Sequence, residues 1–217
     1  MNSQPVHQGV SAEGSFSARD YFLGIAQDIV TSLKNVHVAL PDKGEIYLFP
    51  RRNEYHANVA DMAEFCLAPA SQFKVTVLNG APQVLHHGPG LDISGLLWQA
   101  AFHASQGLMI EGSSKFDVVQ FRRWPNLTRL PKTPNTMRIC ALLTRYPMTI
   151  MLVHRKLGIE KKELYQTISA AYCAGIANVI SHSPQEAANE SVEDIALNVP
   201  EQKRNLLQSL FSKITGL

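Results

Sequence analysis

The chain has 217 residues, of which 45% are hydrophobic and 18% are charged, and its formal net charge at pH 7 is +2. This composition is typical of a globular protein with one large or two small domains. The near-neutral charge gives no global field that would attract nucleic acid or an anionic membrane. No run of about 18 apolar residues occurs, so the sequence predicts no transmembrane segment. The polar N-terminus lacks signal-peptide features and the three cysteines lie far apart, so we expect a cytoplasmic protein.

The first part of the chain predicts a disordered segment over residues 1–18 and an α+β domain over residues 19–125. Helical periodicity follows Arg19 and again Asp92, and a short helix is expected from Asp61 to Leu67. Alternating patterns predict strands at 36–40, 45–50, 54–59, 73–78 and 116–121, and a hairpin turn at Asn79-Gly80. Because these strands can pair as hairpins, the pattern favours α+β over a doubly wound sheet.

The second part of the chain predicts a separate all-α domain. Residues 126–135 are interpreted as a Pro-rich connector, because Pro125, Pro131 and Pro134 lie in it or beside it. Residues 136–180 predict three helices in a helix-turn-helix arrangement. Residues 181–199 are polar and acidic, which indicates a flexible linker, and residues 200–217 predict an amphipathic helix.

Turn and capping residues define the three helices of the second domain. The first ends at Tyr146, because a residue before proline is pushed out of the helical region. Thr149 can cap the second helix, Gly158 can form the left-handed turn after it, and Gly175 marks the end of the third. The predicted apolar stripes are Met137, Cys140, Ala141 and Leu143 in the first helix, and Leu164, Ile168, Ala171 and Tyr172 in the third.

The order Thr149, apolar residues, Leu-Gly-Ile, helix and Gly-Ile resembles the winged-helix branch of the helix-turn-helix superfamily. That resemblance implies a module that either binds DNA or docks a protein. For DNA, the candidate residues are His154, Arg155, Lys156, Lys161, Lys162 and Gln166. Glu160 and Glu163 offset the two lysines of the third helix, and no basic residue follows Gly175 in a wing. We therefore rank protein docking ahead of DNA binding, since phosphate neutralisation supplies most non-specific affinity.

A basic and aromatic cluster, Arg122, Arg123, Trp124 and Arg129, is a candidate ligand site. Guanidinium groups match phosphate geometry, and an indole can stack a base. The cluster resembles the arginine motifs of cyclic-dinucleotide receptors such as PilZ domains, although its spacing differs and no DxSxxG-like element follows. In the alternative arrangement, Trp124 packs between the two domains and the arginines pair with carboxylates. We expect this second arrangement, in which truncation of Trp124 costs about 3 to 5 kcal/mol.

The C-terminal helix carries an apolar stripe made of Leu206, Leu207, Leu210, Phe211 and Ile214. Such a short helix is marginal alone in water, so we expect the stripe to bind a partner protein. The chain has no phosphate-binding loop, no GxSxG motif and no CxxC pair, and His86-His87 on a strand would face opposite sides. We therefore expect no catalytic residues, no cofactor and no metal site.

These patterns favour a non-enzymatic cytoplasmic regulator or adaptor of bacterial type, which acts in signalling through protein–protein contacts. Its contact surfaces would be the winged-helix-like domain and the C-terminal helix. One alternative is a DNA-binding transcription regulator that acts as a homodimer. A second alternative is a receptor for a cyclic dinucleotide or another nucleotide that uses the cluster from Arg122 to Arg129.

Overall fold

The computed structural model describes residues 14–78 and 90–181. Within these ranges the protein is a mixed α and β structure. None of the helices in these ranges combines the length and the hydrophobicity needed to cross a bilayer. Several predicted features lie outside the described residues, namely the hairpin after Asn79, the linker from residue 182 and the helix over 200–217. Of the segment predicted to be disordered, residues 15–16 form a short strand.

The helices are α1 (Phe22–Ser32), α2 (Met62–Leu67), α3 (Ile93–Ser105), α4 (Thr136–Arg145), α5 (Ile150–Leu157) and α6 (Lys161–Cys173). The strands are β1 (Ser15–Phe16), β2 (Val36–Leu40), β3 (Gly44–Phe49), β4 (Glu54–Val59), β5 (Lys74–Val77), β6 (Leu91–Asp92), β7 (Met109–Ile110), β8 (Val118–Phe121), β9 (Met148–Thr149) and β10 (Ala177–Ser181). Short 3-10 helices cover Ala18–Asp20, Pro50–Arg52 and Ala70–Gln72.

The larger sheet is antiparallel, with the strand order β5-β2-β3-β4-β6. Its strand β2 alternates as the sequence predicts, because Val36, Val38 and Leu40 are buried while the residues between them are half-buried. The buried face packs in one hydrophobic core with apolar residues of α1, α2 and α3. Asp61 caps α2 as expected, since its Oδ1 accepts hydrogen bonds from the backbone N–H groups of Ala63 and Glu64.

The smaller sheet has the antiparallel order β10-β8-β9 and corrects the expectation of an all-α second part. Its middle strand, β8, precedes the Pro-rich segment and was predicted to belong to the first domain. Val119 and Phe121 of β8 are buried, so this strand needs a second layer, which the three-helix segment supplies. Backbone register joins Val119 to Met148 on one side and to Val179 on the other.

The three helices of the second part are present with the predicted boundaries. Thr149 Oγ1 accepts a hydrogen bond from the Leu152 backbone N–H, and Gly158 adopts a left-handed conformation with φ of 61°. The predicted stripes need correction, however. Met137 and Ala141 of α4 are exposed, because the buried face of this helix carries Ile139, Cys140 and Leu143. Tyr172 of α6 is exposed as well.

Helix α6 packs along α3 more extensively than any other pair of described elements does. Gln166 Nε2 reinforces this contact by donating to the Phe102 carbonyl at 2.9 Å, and the Ile110 backbone N–H of β7 donates to Ser169 Oγ of α6 at 3.1 Å. The hydrophobic core is therefore continuous across the Pro-rich segment. Residues 126–135 connect two parts of one compact unit, which corrects the expectation of two separately packed domains.

The three cysteines give a test of this packing. Cys66, Cys140 and Cys173 are buried, and burial raises the pKa of each thiol to about 12. Because the thiolate is the reactive form, we expect almost no reaction with a disulfide reagent at pH 8 in the native protein, and three reactive thiols after unfolding in guanidinium. Rapid labelling of any one thiol before unfolding would contradict the burial of that residue.

Candidate functional site

An open pocket of about 430 Å³ lies where the N-terminal end of α3 meets the segment that follows β8. This volume falls in the range of about 300–1,000 Å³ that small-molecule sites occupy. Its polar lining includes Tyr55, Asp92, Ser94, Gln99, Arg123, Asn126 and Arg129, and its apolar lining includes Met62, Leu91, Trp124, Leu130 and Ile176. Three members of the predicted ligand-binding cluster, Arg123, Trp124 and Arg129, therefore lie in one pocket.

The two adjacent arginines after β8 serve different purposes. Arg122 does not line the pocket: its backbone N–H donates to the Ile176 carbonyl at 2.8 Å, and its Nη2 donates to Asn178 Oδ1 at 3.0 Å. These bonds fasten the end of β8 to β10. Arg123 reaches α3 instead, where its Nη2 donates to Ser94 Oγ at 3.0 Å. The structure thus removes Arg122 from the predicted ligand-binding set and keeps Arg123.

Trp124 is 48% exposed, so the expectation that it packs in a domain interface is wrong. The backbone around it is held by buried neighbours, since Phe121 precedes it and Pro125 and Leu127 follow it. The other tryptophan, Trp98, is fully buried and its Nε1 donates to the Pro131 carbonyl at 2.9 Å. The indole of Trp124 is consequently held at the pocket without being part of the core.

Asp92 supplies the negative charge of the pocket. Its Oδ1 accepts hydrogen bonds from the Ser94 backbone N–H at 3.0 Å and from Asn53 Nδ2 at 2.9 Å, and its Oδ2 accepts one from Ser94 Oγ at 2.7 Å. Partial burial raises the pKa of Asp92, but the hydrogen bonds from Ser94 and Asn53 and the charge of Arg123 outweigh it. The pKa of Asp92 therefore lies below its ordinary value, and the group is ionised at neutral pH.

Arg129 is the second cation of the pocket. Within the part of the chain that the structure describes, its guanidinium has no hydrogen-bond or ion-pair partner. Arg123 likewise has no carboxylate within ion-pair distance there, which corrects the expectation that these arginines pair with acids. Two guanidiniums against the single Asp92 carboxylate leave one net positive charge, so the pocket favours an anionic ligand.

Tyr55 and Gln99 add neutral polar groups to the lining. Tyr55 is 3% exposed, and its hydroxyl accepts a hydrogen bond from Gln99 Nε2 at 3.3 Å. Burial raises the pKa of Tyr55, although the hydrogen bond from Gln99 acts in the opposite direction. The hydroxyl therefore keeps its proton at neutral pH and can donate it to a ligand oxygen.

The residues predicted to contact DNA fall into two groups in the structure, those that make internal contacts and those that are exposed. Gln166 is used in the contact between α6 and α3, and His154 Nδ1 lies 2.7 Å from the Ile159 carbonyl. The charged residues Arg155, Lys156, Lys161 and Lys162 are exposed. Because α3 packs against α6 and engages Gln166, this predicted base-reading residue is not available to a DNA groove. The partner-binding residues from Leu206 to Ile214 lie outside the described residues.

The pocket also contains residues that the sequence did not indicate. Asp92 and Ser94 are recognisable in the sequence as a helix start, but nothing there places them beside Arg123, about thirty positions later. Tyr55 and Gln99 join the pocket from β4 and α3. Among residues 14–78 and 90–181, no group of three or more His, Cys, Asp or Glu side chains is arranged to hold a metal ion.

Comparison with known proteins gives no match to this chain, whether by family model, by similarity to curated proteins or by similarity to solved structures.

Exposure of Trp124 leads to a quantitative prediction. Trp124→Ala should lower the free energy of unfolding by less than about 1 kcal/mol, because surface substitutions have small effects. The matched change Trp98→Ala should cost about 3 to 5 kcal/mol, since it empties a packed site. Urea unfolding followed by far-ultraviolet circular dichroism measures both values. Equal losses for the two variants would show that Trp124 belongs to the core.

Asp92 should contribute stability that depends on pH. Asp92→Ala removes the cap of α3 and should lower the free energy of unfolding by about 1 kcal/mol at pH 7. Because the pKa of Asp92 is lowered on folding, its contribution is present above the unfolded pKa of about 4 and is lost as the pH falls through the folded value. The difference between wild type and variant in urea unfolding should therefore shrink at acid pH.

Asp92→Asn separates the two effects, because asparagine caps a helix about as well as aspartate but carries no charge. This variant should keep most of the stability at pH 7 and should lose the acid-dependent part. A difference between wild type and Asp92→Ala that stays constant down to pH 2 would contradict the lowered pKa.

Proposed function

We propose that the protein is a non-enzymatic regulator that binds a small phosphate-bearing ligand with a planar base, of the nucleotide class. The observation that carries this proposal is the pocket in which Arg123, Arg129 and the exposed Trp124 meet. An exposed indole beside two cations is the combination that nucleotide recognition requires, since the base stacks on the ring and the phosphate takes the guanidinium groups.

The charge of the pocket favours a particular kind of phosphate. One net positive charge is neutralised by a phosphodiester, which carries a single negative charge, whereas a triphosphate would bring excess negative charge close to Asp92. Cyclic nucleotides contain only phosphodiesters: a cyclic mononucleotide matches the single net charge, and a cyclic dinucleotide offers one phosphodiester to each arginine with fewer negative charges than a triphosphate has. We therefore propose a cyclic nucleotide in preference to a nucleoside triphosphate.

Polar groups of the pocket are already hydrogen-bonded to neighbouring side chains, which favours a binding role over a catalytic one. Asp92 is engaged by three hydrogen bonds, and the Tyr55 hydroxyl accepts one from Gln99. No histidine lines the pocket among the residues that the structure describes. A nucleophile paired with a free general base is the usual requirement for group transfer, and the described lining does not supply that pair.

The regulator would act on a protein partner, as the sequence-based hypothesis has it. Ile176 lines the pocket, and its carbonyl is held by Arg122 at the turn between α6 and β10. A ligand in the pocket would therefore contact the turn that joins α6 of the predicted helix-turn-helix segment to β10. The DNA-binding alternative receives less support, because α3 packs against α6 and Gln166 is already engaged.

Isothermal titration with cyclic di-GMP, cyclic AMP and ATP tests the proposed ligand class. We expect micromolar binding of at least one cyclic nucleotide and weaker binding of ATP. Arg123→Ala and Arg129→Ala should each weaken that binding by about tenfold or more, because each removes a charge-assisted hydrogen bond. Arg122→Ala is the matched control and should bind normally, since Arg122 faces Asn178.

Fluorescence gives an independent readout of the same event. Stacking on Trp124 should quench the emission of an exposed indole, while buried Trp98 should be unaffected. Trp124→Phe should remove the quenching and retain part of the affinity, because phenylalanine also stacks bases. Absence of binding to all three nucleotides at millimolar concentration, or equal loss in Arg122→Ala and Arg123→Ala, would refute the proposed site.

A further inference from the structure

The charges of this chain are strongly segregated along the sequence. Residues 118–159 contain eight of the 20 Lys and Arg residues and none of the 18 Asp and Glu residues. The rest of the chain therefore carries 12 cationic side chains against 18 carboxylates. The net charge of +2 conceals this separation, because the acidic remainder offsets the basic segment. A local basic surface is expected wherever the cations of this segment are exposed.

All eight cations are exposed, namely Arg122, Arg123, Arg129, Lys132, Arg138, Arg145, Arg155 and Lys156. The ion pairs found among the described residues are His37–Glu45, Lys43–Glu64 and His56–Glu54, so none of the eight takes part in one. Asp117 and Glu160 flank this segment in the chain, and the nearby Glu163 accepts a hydrogen bond from Asn135 Nδ2 at 2.7 Å. Apart from Arg123, which interacts with Asp92 in the pocket, the cations of the basic segment have no ion-pair partner within the part that the structure describes.

Four of these cations lie on α4 and at the end of α5, away from the pocket lining. Arg138 links the two helices, since its Nη2 donates to the Leu157 carbonyl at 3.1 Å. This bond brings the end of α5, with Arg155 and Lys156, next to the start of α4. Met137, Arg138, Ala141 and Arg145 share the exposed side of α4, because they recur at steps of one, three and four residues.

Large apolar side chains accompany the cations on this face. Met137 is 58% exposed and Tyr146, directly after α4, is 56% exposed. Methionine, tyrosine and arginine are enriched at protein–protein interfaces, and tyrosine and arginine supply many of their binding hot spots. The basic face is therefore defined here as Met137, Arg138, Arg145, Tyr146, Arg155 and Lys156.

We propose that the basic face binds an acidic, amphipathic segment of a partner protein. Carboxylates of that segment would pair with Arg145, Arg155 and Lys156, and its apolar residues would cover Met137 and Tyr146. Complementary charge would steer the encounter, and the two apolar side chains would be buried on contact. Duplex DNA fits less well, because it offers nothing apolar to Tyr146 or Met137 at its phosphate backbone and α6 packs against α3.

The test uses a fluorescein-labelled model peptide in which leucine and glutamate form the two faces of a helix. Fluorescence anisotropy should detect binding to the full-length protein, and rising ionic strength should weaken it. Arg145→Glu should reduce the affinity by at least about tenfold, and Met137→Ser should reduce it several-fold. Arg51→Glu is the control for total charge, because Arg51 is also exposed but lies beside the larger sheet. It should bind almost normally.

Two further probes decide between ligand classes. A peptide with lysine in place of each glutamate should not bind, and a short duplex DNA should compete poorly with the acidic peptide. Tight DNA binding that is insensitive to Met137→Ser would overturn the proposal in favour of nucleic acid. Equal losses for Arg145→Glu and Arg51→Glu would overturn it in favour of non-specific charge attraction. Circular dichroism of each variant checks that the fold is retained.

Discussion

The contact between α3 and α6 is the interaction on which the rest of this structure depends. It joins a helix that covers the larger sheet to the last of the three helices that follow the Pro-rich segment, and it merges two predicted domains into one core. On α6, the Gln166 side chain donates a hydrogen bond to the Phe102 carbonyl. The Ser169 hydroxyl accepts one from the Ile110 backbone N–H. Because buried polar groups need hydrogen-bond partners, these two bonds fix how α6 packs against its neighbours.

The pocket is a consequence of that packing. With α6 fixed against α3, the chain between β8 and α4 has to cross the N-terminal end of α3, and Trp98 fastens it there through the Pro131 carbonyl. Arg123 then reaches Ser94, and Asp92 holds Ser94 in place through both its backbone and its hydroxyl. Each polar group near the arginines is thus oriented by a second contact, which reduces the entropy that a ligand would have to overcome.

Local features of this fold follow from the sequence, whereas its long-range pairings do not. Asp61, Thr149 and Gly158 mark helix boundaries through backbone chemistry that acts within a few residues, and these predictions are confirmed. The exposure of Trp124 and the position of β8 depend on which helix packs against which. Proline density suggested a domain boundary, yet Pro125 is buried and the segment crosses a shared core. The arginine cluster was recognisable by residue type, but its division between Arg122 and Arg123 requires the strand register.

Stability does not explain the concentration of cations in residues 118–159. Exposed like charges repel only weakly in water, by about 1 kcal/mol even at 4 Å, so their mutual repulsion is tolerable but brings no gain. An unpaired arginine also retains side-chain entropy that an internal ion pair would cost. What the arrangement does provide is two separate attractive surfaces, because α3 brings one carboxylate to Arg123 while α4 has none. A small anion and an acidic protein could therefore be recognised by one basic segment at different places along the chain.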